Sequence, residues 1–343
     1  MNATIKLENV KHFPVLLNEV VSIISPLYGG TFIDCTFGQG GYSKKILENK
    51  NNKVFAIDRD CSSKKIVNQF KKKYHDRFEF ENRKFSEILN IEKNLENLKG
   101  IIFDLGYSTA QIKDPEKGLS FNDKGNLNMK MGLNNFSADD VVNKLGQKEL
   151  AKIFKVFGEE NSSKIISKKI ISLRKNKNIQ TQDLVNIINS VKKKKYSKTH
   201  NATKVFQALR IIVNNEISEL IYGLINSFKI LPVGGAVLIV TFHSIEDRIV
   251  KSFLKNYSEN KNVSRYLPPK IERKSLFKLI DRKPIIPGEK ELKLNPASRS
   301  AKLRYGIKLN NHSDFSEFIK KFNYLLEVER LVQEIWKKLF FQL

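Results

Sequence analysis

Residues 31–41 read TFIDCTFGQGG, and this stretch decides the fold of the 343-residue chain. Its first half is a short apolar run rich in β-branched and aromatic residues, which predicts a buried strand. Gly38, Gly40 and Gly41 follow, and glycines at this place allow a tight turn with close backbone approach to a ligand. The stretch therefore predicts a strand, a glycine-rich turn and the start of a helix.

Similar apolar runs recur along the chain and are separated by helix-length spacers. They are KVFAID (53–58), FEFEN (78–82), GIIFDLG (100–106), GAVLIVTF (235–242) and KLRYGIKL (302–309). Apolar strands that alternate with helical spacers are typical of a mostly parallel sheet with crossover helices. We expect an α/β fold of Rossmann type whose first half runs βαβαβαβ.

About 130 residues between the fourth and fifth of these strands lack a strand pattern and repeat apolar positions every three or four residues. This periodicity predicts an α-helical insertion in the sheet domain. The predicted organisation is a discontinuous core over 1–112 and 205–310, a helical substrate-recognition insertion over 113–204, and a C-terminal amphipathic helix over 311–343.

The predicted C-terminal helix carries an apolar stripe at heptad-like spacing. The stripe consists of Phe315, Phe318, Phe322, Leu325, Val332, Trp336 and Leu339. Such a stripe indicates a helix that docks on its own core. The alternative is a homodimer or a partner helix packed on the same face.

The composition is that of a folded, strongly basic protein. Hydrophobic residues make up 41% of the chain, and Lys and Arg number 61 against 36 Asp and Glu, for a net charge of +25. The charge favours nucleic acid as the partner, because phosphate contacts release counterions. The chain has no 18-residue apolar run, and Cys35 and Cys61 have no metal-ligand spacing. We expect no membrane span, no metal and a cytoplasmic location.

Three aspartates at predicted strand ends mark a cofactor site. Asp34 opens the glycine-rich turn, Asp58 ends the second strand and Asp104 ends the fourth. An acid at the end of the second strand suits both ribose hydroxyls of an adenosine. The turn lacks the dinucleotide fingerprint, so a cofactor without a pyrophosphate, such as S-adenosylmethionine, fits better, with Asp34 near its sulfonium and amine.

The segment after the fifth strand is dense in polar groups. His243 is a candidate catalytic base or base-edge contact, and Asp104 is a candidate catalytic group that holds the target nitrogen. Ser244 is expected to cap the following helix, with Asp247 at its third position. Only 12 of the 61 basic residues are Arg. Arg pairs with phosphate and stacks on bases, so the Arg residues in polar segments are candidate RNA contacts.

Nine sequence blocks in order between residues 12 and 304 resemble the RsmH (MraW) family of 16S rRNA cytosine-N(4) methyltransferases. They are HFPVLLNEV (12–20), DCTFGQGGYS (34–43), AIDRD (56–60), DLGYSTAQ (104–111), GLSFNDKGNLNMKM (118–131), FGEE (157–160), ATKVFQALRIIVNNEI (202–217), FHSIEDRIVK (242–251) and NPASRSAKLR (295–304). The resemblance implies a class I S-adenosylmethionine-dependent methyltransferase that modifies a cytidine in the decoding region of the small ribosomal subunit.

The resemblance also implies roles for individual residues. Together with the pattern above, the expected S-adenosylmethionine contacts are Asp34, Gly38, Gly40, Gly41, Tyr42, Asp58, Phe85, Asp104 and Gln111, with Phe85 beside the adenine. The expected RNA or substrate contacts are Lys204, Gln207, Arg210, Asn214, Ser244, Asp247, Arg248, Arg299 and Arg304. The expected partner is 16S rRNA within the small subunit or its precursor.

The chain departs from the family pattern at a few positions. Tyr42 stands where the family usually has His, and Asn128 and Gly132 replace two acids of the family's LDMRMD stretch. Because of these losses, an rRNA-binding assembly factor with weakened catalysis remains an alternative. A DNA amino methyltransferase would typically show a D/N/S-P-P-Y/F motif after the fourth strand, where this chain has DLGYSTAQ. A small-molecule methyltransferase would need neither the charge nor the basic insertion.

Overall fold

Seven strands form one sheet in the computed structural model, which describes residues 14–91, 95–108, 111–112, 114–121, 127–192, 200–258, 275–312 and 314–340. The strands are β1 Thr31–Asp34, β2 Lys53–Asp58, β3 Phe78–Asn82, β4 Leu98–Asp104, β5 Ala236–Thr241, β6 Phe277–Lys278 and β7 Lys302–Lys308. Their spatial order is β3-β2-β1-β4-β5-β7-β6. The first five pair in parallel, and β7 is antiparallel to both of its neighbours. This mostly parallel sheet is the Rossmann-like class I fold that the sequence predicts.

All six predicted strands are present, with ends that differ by at most three residues. The sequence pattern missed β6, because a two-residue strand is too short for any alternation to show. The third crossover also differs from the prediction. Between β3 and β4 the described residues form 3₁₀ turns over Phe85–Asn90 instead of an α-helix.

The main α-helices among the described residues lie before, between and after the strands, and they dominate the middle part of the chain. They are α1 Leu17–Ile24, α2 Gly41–Ile46, α3 Lys64–Tyr74, α4 Ala138–Lys144, α5 Gln147–Phe157, α6 Ser163–Leu173, α7 Thr181–Val191, α8 Thr203–Asn214, α9 Glu216–Ile230, α10 Ser244–Tyr257, α11 Glu289–Leu294 and α12 Ser316–Phe340. Among the described residues, no helix combines the length and the apolar character needed to cross a bilayer.

The chain separates into two compact units. One comprises Met1–Ser108 and Asn226–Ser313, and the other comprises Thr109–Ile225 and Asp314–Leu343. The first contains the sheet, and the second contains α4 to α8 and α12. The second unit extends past the predicted boundary at 204 to include α8, and the C-terminal helix groups with it.

The core of the sheet unit follows from the uninterrupted apolar character of its strands. Phe32, Ile102 and Leu238 lie on neighbouring strands and are completely buried in one hydrophobic cluster. Lys308 is also buried, and its Nζ donates hydrogen bonds to the carbonyls of Phe228 at 2.8 Å and Leu231 at 2.6 Å. Burial lowers the pKa of Lys308.

The C-terminal helix α12 packs within its own unit. Its apolar stripe is buried, and the Trp336 ring lies 5.1 Å from the Phe136 ring. Leu339 is the exception, because 51% of it is exposed; the predicted stripe therefore extends one turn too far. The structure agrees with the interpretation in which the helix docks on its own core.

Candidate active site

The glycine-rich turn after β1 is held by a carboxylate from the end of β2. Gly38 and Gly40 have φ values of 50° and 72°, which favour glycine. The Gly38 N–H donates to Asp58 Oδ2 at 2.6 Å, and the Asp60 N–H donates to Asp58 Oδ1 at 2.8 Å. Burial raises the pKa of Asp58 to about 6, despite these two hydrogen bonds. Each oxygen retains a second lone pair, which suits the ribose hydroxyls.

Asp34 lies at the end of β1 and is completely buried. Its Oδ2 accepts a hydrogen bond of 2.6 Å from the Ser43 hydroxyl, and its Oδ1 accepts one of 3.2 Å from the Thr36 N–H. Burial raises the pKa of Asp34. Asp34 therefore joins the glycine-rich turn to the first turn of α2.

Tyr42 turns inward instead of presenting its hydroxyl to the turn. The side chain is 3% exposed, and the hydroxyl donates to the Val15 carbonyl. Burial raises the pKa of Tyr42 well above its usual value. Next to it, a Cβ on Gly41 would come within 2.0 Å of the Pro14 ring. Tyr42, which stands where the family usually has His, thus links α2 to the segment before α1.

Asp104 supplies the unpaired oxygen of the site. Its backbone N–H donates to Thr36 Oγ1 at 2.7 Å. Its Oδ1 is buried and has no hydrogen-bond partner among the described residues. Burial, together with the nearby charges of Asp34, Glu246 and Glu291, raises the pKa of Asp104 well above its usual value. An unpaired buried acceptor at the carboxyl end of a central strand indicates a ligand position.

Phe85 and Gln111 complete the expected cofactor set. Phe85 begins the 3₁₀ segment after β3, is partly exposed, and contacts the Phe103 ring edge-on at 5.3 Å. Its remaining exposed surface can take an apolar ring. Gln111 lies in the second unit and is partly buried.

His243, and not Ser244, caps helix α10. The His243 Nδ1 accepts the Glu246 N–H at 3.4 Å, and the Glu246 carboxylate accepts the N–H groups of Phe242 at 2.7 Å and His243 at 3.2 Å. The His243 Nε2 lies 3.0 Å from Glu246 Oε1. A capping box fixes the imidazole, so Glu246 is a site residue that the sequence reasoning missed. The signal was present, since an acid stands three residues after the cap.

The remaining candidates, which lie in α10, in β7 and shortly before β7, differ in exposure. Asp247 pairs with Arg304 at 2.7 Å and with Lys302 at 3.0 Å, which, against the effect of burial, lowers its pKa. Ser244, Arg248 and Arg299 are exposed. Arg248 and Arg299 are therefore accessible to a phosphate from solvent, and Arg304 pairs with Asp247.

The candidates on α8 mostly serve the second unit itself. The Arg210 guanidinium binds the Glu216 carboxylate through two hydrogen bonds of 2.8 Å and is 7% exposed. Lys204 Nζ donates to the Glu159 carbonyl at 3.0 Å, and Gln207 Nε2 to the Phe157 carbonyl at 2.9 Å. Lys204 is exposed, so its remaining donors can reach a phosphate.

Asn214 connects α8 to the segment that departs from the family pattern. Its Nδ2 donates to the Met129 carbonyl at 2.9 Å, and its Oδ1 accepts the Met131 N–H at 3.0 Å. Within that segment Asn128 donates to the Glu116 carbonyl at 2.9 Å, and Gly132 has φ 96°. A residue with a side chain would be strained at Gly132, so both departures have structural reasons.

The sequence model of the MraW methylase family matches residues 9–309. The chain belongs to this family. It is 41% identical over 305 residues to the ribosomal RNA small subunit methyltransferase H of Rickettsia bellii (strain OSU 85-389), a match that covers 87% of this chain and 99% of the relative. The protein of the same name from Orientia tsutsugamushi (strain Ikeda) is 39% identical over 311 residues, covering 87% of this chain and 98% of that relative. The one from Maricaulis maris (strain MCS10) is 40% identical over 304 residues, covering 87% and 91%.

As a member of the MraW methylase family, the chain is an S-adenosylmethionine-dependent methyltransferase. The residues in the sheet unit fit this cofactor. The turn at Gly38 and Gly40 brings backbone close to a ligand, Asp58 offers free lone pairs, and Asp104 offers a buried oxygen without a partner. The individual contact assignments stay predictions.

Proposed function

We propose that the protein methylates the N(4) amino group of one cytidine in the decoding, P-site region of 16S rRNA within the small ribosomal subunit or its precursor. The observation that carries the proposal is the unpaired, buried Oδ1 of Asp104 at the end of β4. It is an acceptor suited to an amino group, in a chain whose relatives are named as small-subunit rRNA methyltransferases.

The reaction needs help because the cytosine amine is a poor nucleophile, with its lone pair delocalised into the ring. S-adenosylmethionine supplies a methyl group on a positively charged sulfur. Asp104 accepts a hydrogen bond from the amine, which orients the nitrogen lone pair toward that methyl carbon. With S-adenosylmethionine bound, the transfer would form a nitrogen–carbon bond while the carbon–sulfur bond breaks with its electrons going to sulfur, and the nitrogen would then lose one proton. Alignment of this kind contributes about 7 to 11 kcal/mol at best.

The surplus proton has two candidate acceptors in the sheet unit. Asp104 has a raised pKa, which makes its carboxylate a stronger base than an ordinary aspartate. His243 is the second, held by its capping box. If His243 is the base, His243→Ala lowers the single-turnover rate at saturating substrate. An unchanged rate would remove it from the chemistry.

RNA binding follows from the charge of +25 and from the exposed cations Lys204, Arg248 and Arg299. The target base must be unstacked, because its amine cannot meet the cofactor inside a stacked helix. The proposed reaction takes place where small subunits are assembled, in the cytoplasm. We propose no homodimer through the C-terminal stripe, since all of the stripe except Leu339 is buried within its own unit.

The test is mass spectrometry of nucleosides from small subunits purified from a strain that lacks this gene. The subunits are incubated with S-adenosylmethionine and either the protein or its Asp104→Asn variant, an isosteric control without the charge. We expect N(4)-methylcytidine at one decoding-region site with the protein, and at least a hundredfold lower rate with the variant. Tight binding of subunits without a new methyl group would contradict the proposal and favour the assembly-factor alternative.

A further inference from the structure

The corner between α8 and α9 is held by two side chains from the C-terminal helix α12. Glu329 is 3% exposed, and its Oε1 and Oε2 accept the N–H groups of Ile217 at 3.0 Å and Ser218 at 2.9 Å. One turn later, Gln333 Nε2 donates to Asn215 Oδ1 at 3.0 Å. The first N–H groups of a helix have no partner within the helix, so α12 supplies acceptors that α9 lacks.

The chain changes direction at the corner through a single left-handed residue. Asn215 follows the last residue of α8 and has φ 50° and ψ 40°, a conformation that asparagine adopts more readily than most residues other than glycine. The next residue, Glu216, forms the bidentate pair with Arg210. The preceding residue, Asn214, binds Met129 and Met131. A change in the chain direction at this corner therefore moves both of these connections.

The family match ends at residue 309, whereas the two supporting residues lie at 329 and 333. The Rickettsia bellii relative is matched over 99% of its own length by 87% of this chain. The support that α12 gives to the corner thus comes from sequence outside the region that defines the family.

We propose that Glu329 and Gln333 are positioning residues for the methyl transfer to rRNA, because they fix the α8–α9 corner and, through Asn214, the segment 129–134. This inference rests on the proposed function for its substrate. The segment Leu127–Met131 has alternating buried side chains. Asn214, which binds this segment, belongs to α8, the helix that also carries the exposed Lys204. The ligand served by this positioning is RNA, so cofactor binding by the glycine-rich turn and Asp58, which belong to the other unit, should not respond.

Hydrogen exchange in the full-length protein tests the positioning directly. In Glu329→Ala, both N–H groups at the start of α9 lose their acceptor, and we expect exchange at Met131 to become at least tenfold faster. Glu334→Gln changes an exposed acid on the same helix and should leave exchange unchanged. Val328→Ala removes buried volume from α12 but none of its side-chain hydrogen bonds to the corner, so it controls for a general loss of stability. Unchanged exchange in Glu329→Ala would overturn the inference, whatever the activity.

Steady-state methylation of small subunits then tests the consequence for function. We expect Glu329→Ala to raise KM for small subunits at least fivefold while kcat and the affinity for S-adenosylhomocysteine stay within twofold. Glu329→Gln keeps one acceptor oxygen, so its KM should lie between that of the unaltered protein and that of Glu329→Ala. An equal rise in KM in Val328→Ala, at an equal loss of melting temperature, would overturn the inference. A wild-type protein that transfers no methyl group would refute the proposed function instead, and the exchange experiment would still decide the positioning.

Discussion

The glycine-rich turn after β1 and the corner between α8 and α9 share one arrangement of hydrogen bonds but differ in how far apart its residues lie in the sequence. In both, a carboxylate accepts two backbone N–H groups beside residues with positive φ. Burial raises the pKa of the first carboxylate, Asp58, to about 6 and that of the second, Glu329, to about 7. Asp58 comes from the neighbouring strand 20 residues away, whereas Glu329 is more than 110 residues from its partners. The turn forms part of the expected cofactor site, whereas the corner orders segments of the other unit.

The largest effect is expected from a side chain added to the turn. Gly40→Val places a branched residue at φ 72°, where even a Cβ would lie 2.7 Å from the Phe70 ring and 2.8 Å from the Phe37 ring. We expect the affinity for S-adenosylhomocysteine to fall at least a hundredfold in titration calorimetry. Asn215→Gly at the corner, where φ is 50°, is the matched control and should leave this affinity within twofold. Equal losses of affinity in the two variants would mean that the turn and the corner do not differ in their effect on cofactor binding.

The next effect comes from the acid that holds the turn. Asp58→Asn keeps the shape of the side chain but removes its charge and one acceptor oxygen. A hydrogen bond to a charged group contributes about 1.5 to 3 kcal/mol, so we expect a loss of affinity for S-adenosylhomocysteine of roughly 10- to 100-fold. The same substitution of carboxylate by amide at the corner, Glu329→Gln, should change this affinity less than twofold. A similar loss in Glu329→Gln would show that the corner also supports the cofactor site.

A smaller effect is the pH dependence of cofactor binding. The ionised form of Asp58 accepts hydrogen bonds from hydroxyl groups, and its pKa in the protein without cofactor is about 6. The affinity for S-adenosylhomocysteine should therefore be constant above pH 7 and fall by up to about tenfold per pH unit below pH 6. Asp34 and Asp104 also have raised pKa values, so the loss of affinity at low pH could come from any of the three acids. If it comes from Asp58, the loss should disappear in Asp58→Asn. If the loss of affinity at low pH persists in Asp58→Asn, its cause is the protonation of Asp34 or Asp104.

The smallest effect is expected for the neutral partner at the corner. Gln333→Ala removes one hydrogen bond to Asn215 and should lower the free energy of unfolding by about 1 kcal/mol in a urea titration. Gln207→Ala provides the comparison, since it too removes one bond from a side-chain amide to the same unit. A loss above about 3 kcal/mol would mean that Gln333 has a larger role than a single hydrogen bond.

The sequence predicted what depends on local pattern. The apolar strands, the glycine-rich turn and Asp34, Asp58 and Asp104 at strand ends follow from periodicity and from the topology of parallel sheets. Partners within a few residues could also have been found, as with Glu246 three residues after His243. The sequence did not show that Arg210 pairs with Glu216 or that Tyr42 points to Val15, because such contacts depend on which side of a helix faces the core. Glu329 was missed because no local rule joins it to α9.

Helix α9 has a charged side chain from a distant segment at each end. Glu329 binds its first N–H groups, and Lys308 binds the carbonyls of Phe228 and Leu231 near its last turn. In its ionised form, each side chain has the sign of charge that stabilises the helix dipole at that end. Both residues follow the helix by at least 78 positions, since it ends at Ile230. During synthesis of the chain, α9 therefore leaves the ribosome long before Lys308 and Glu329 do. The helix reaches its final stability only when β7 and α12 have been made.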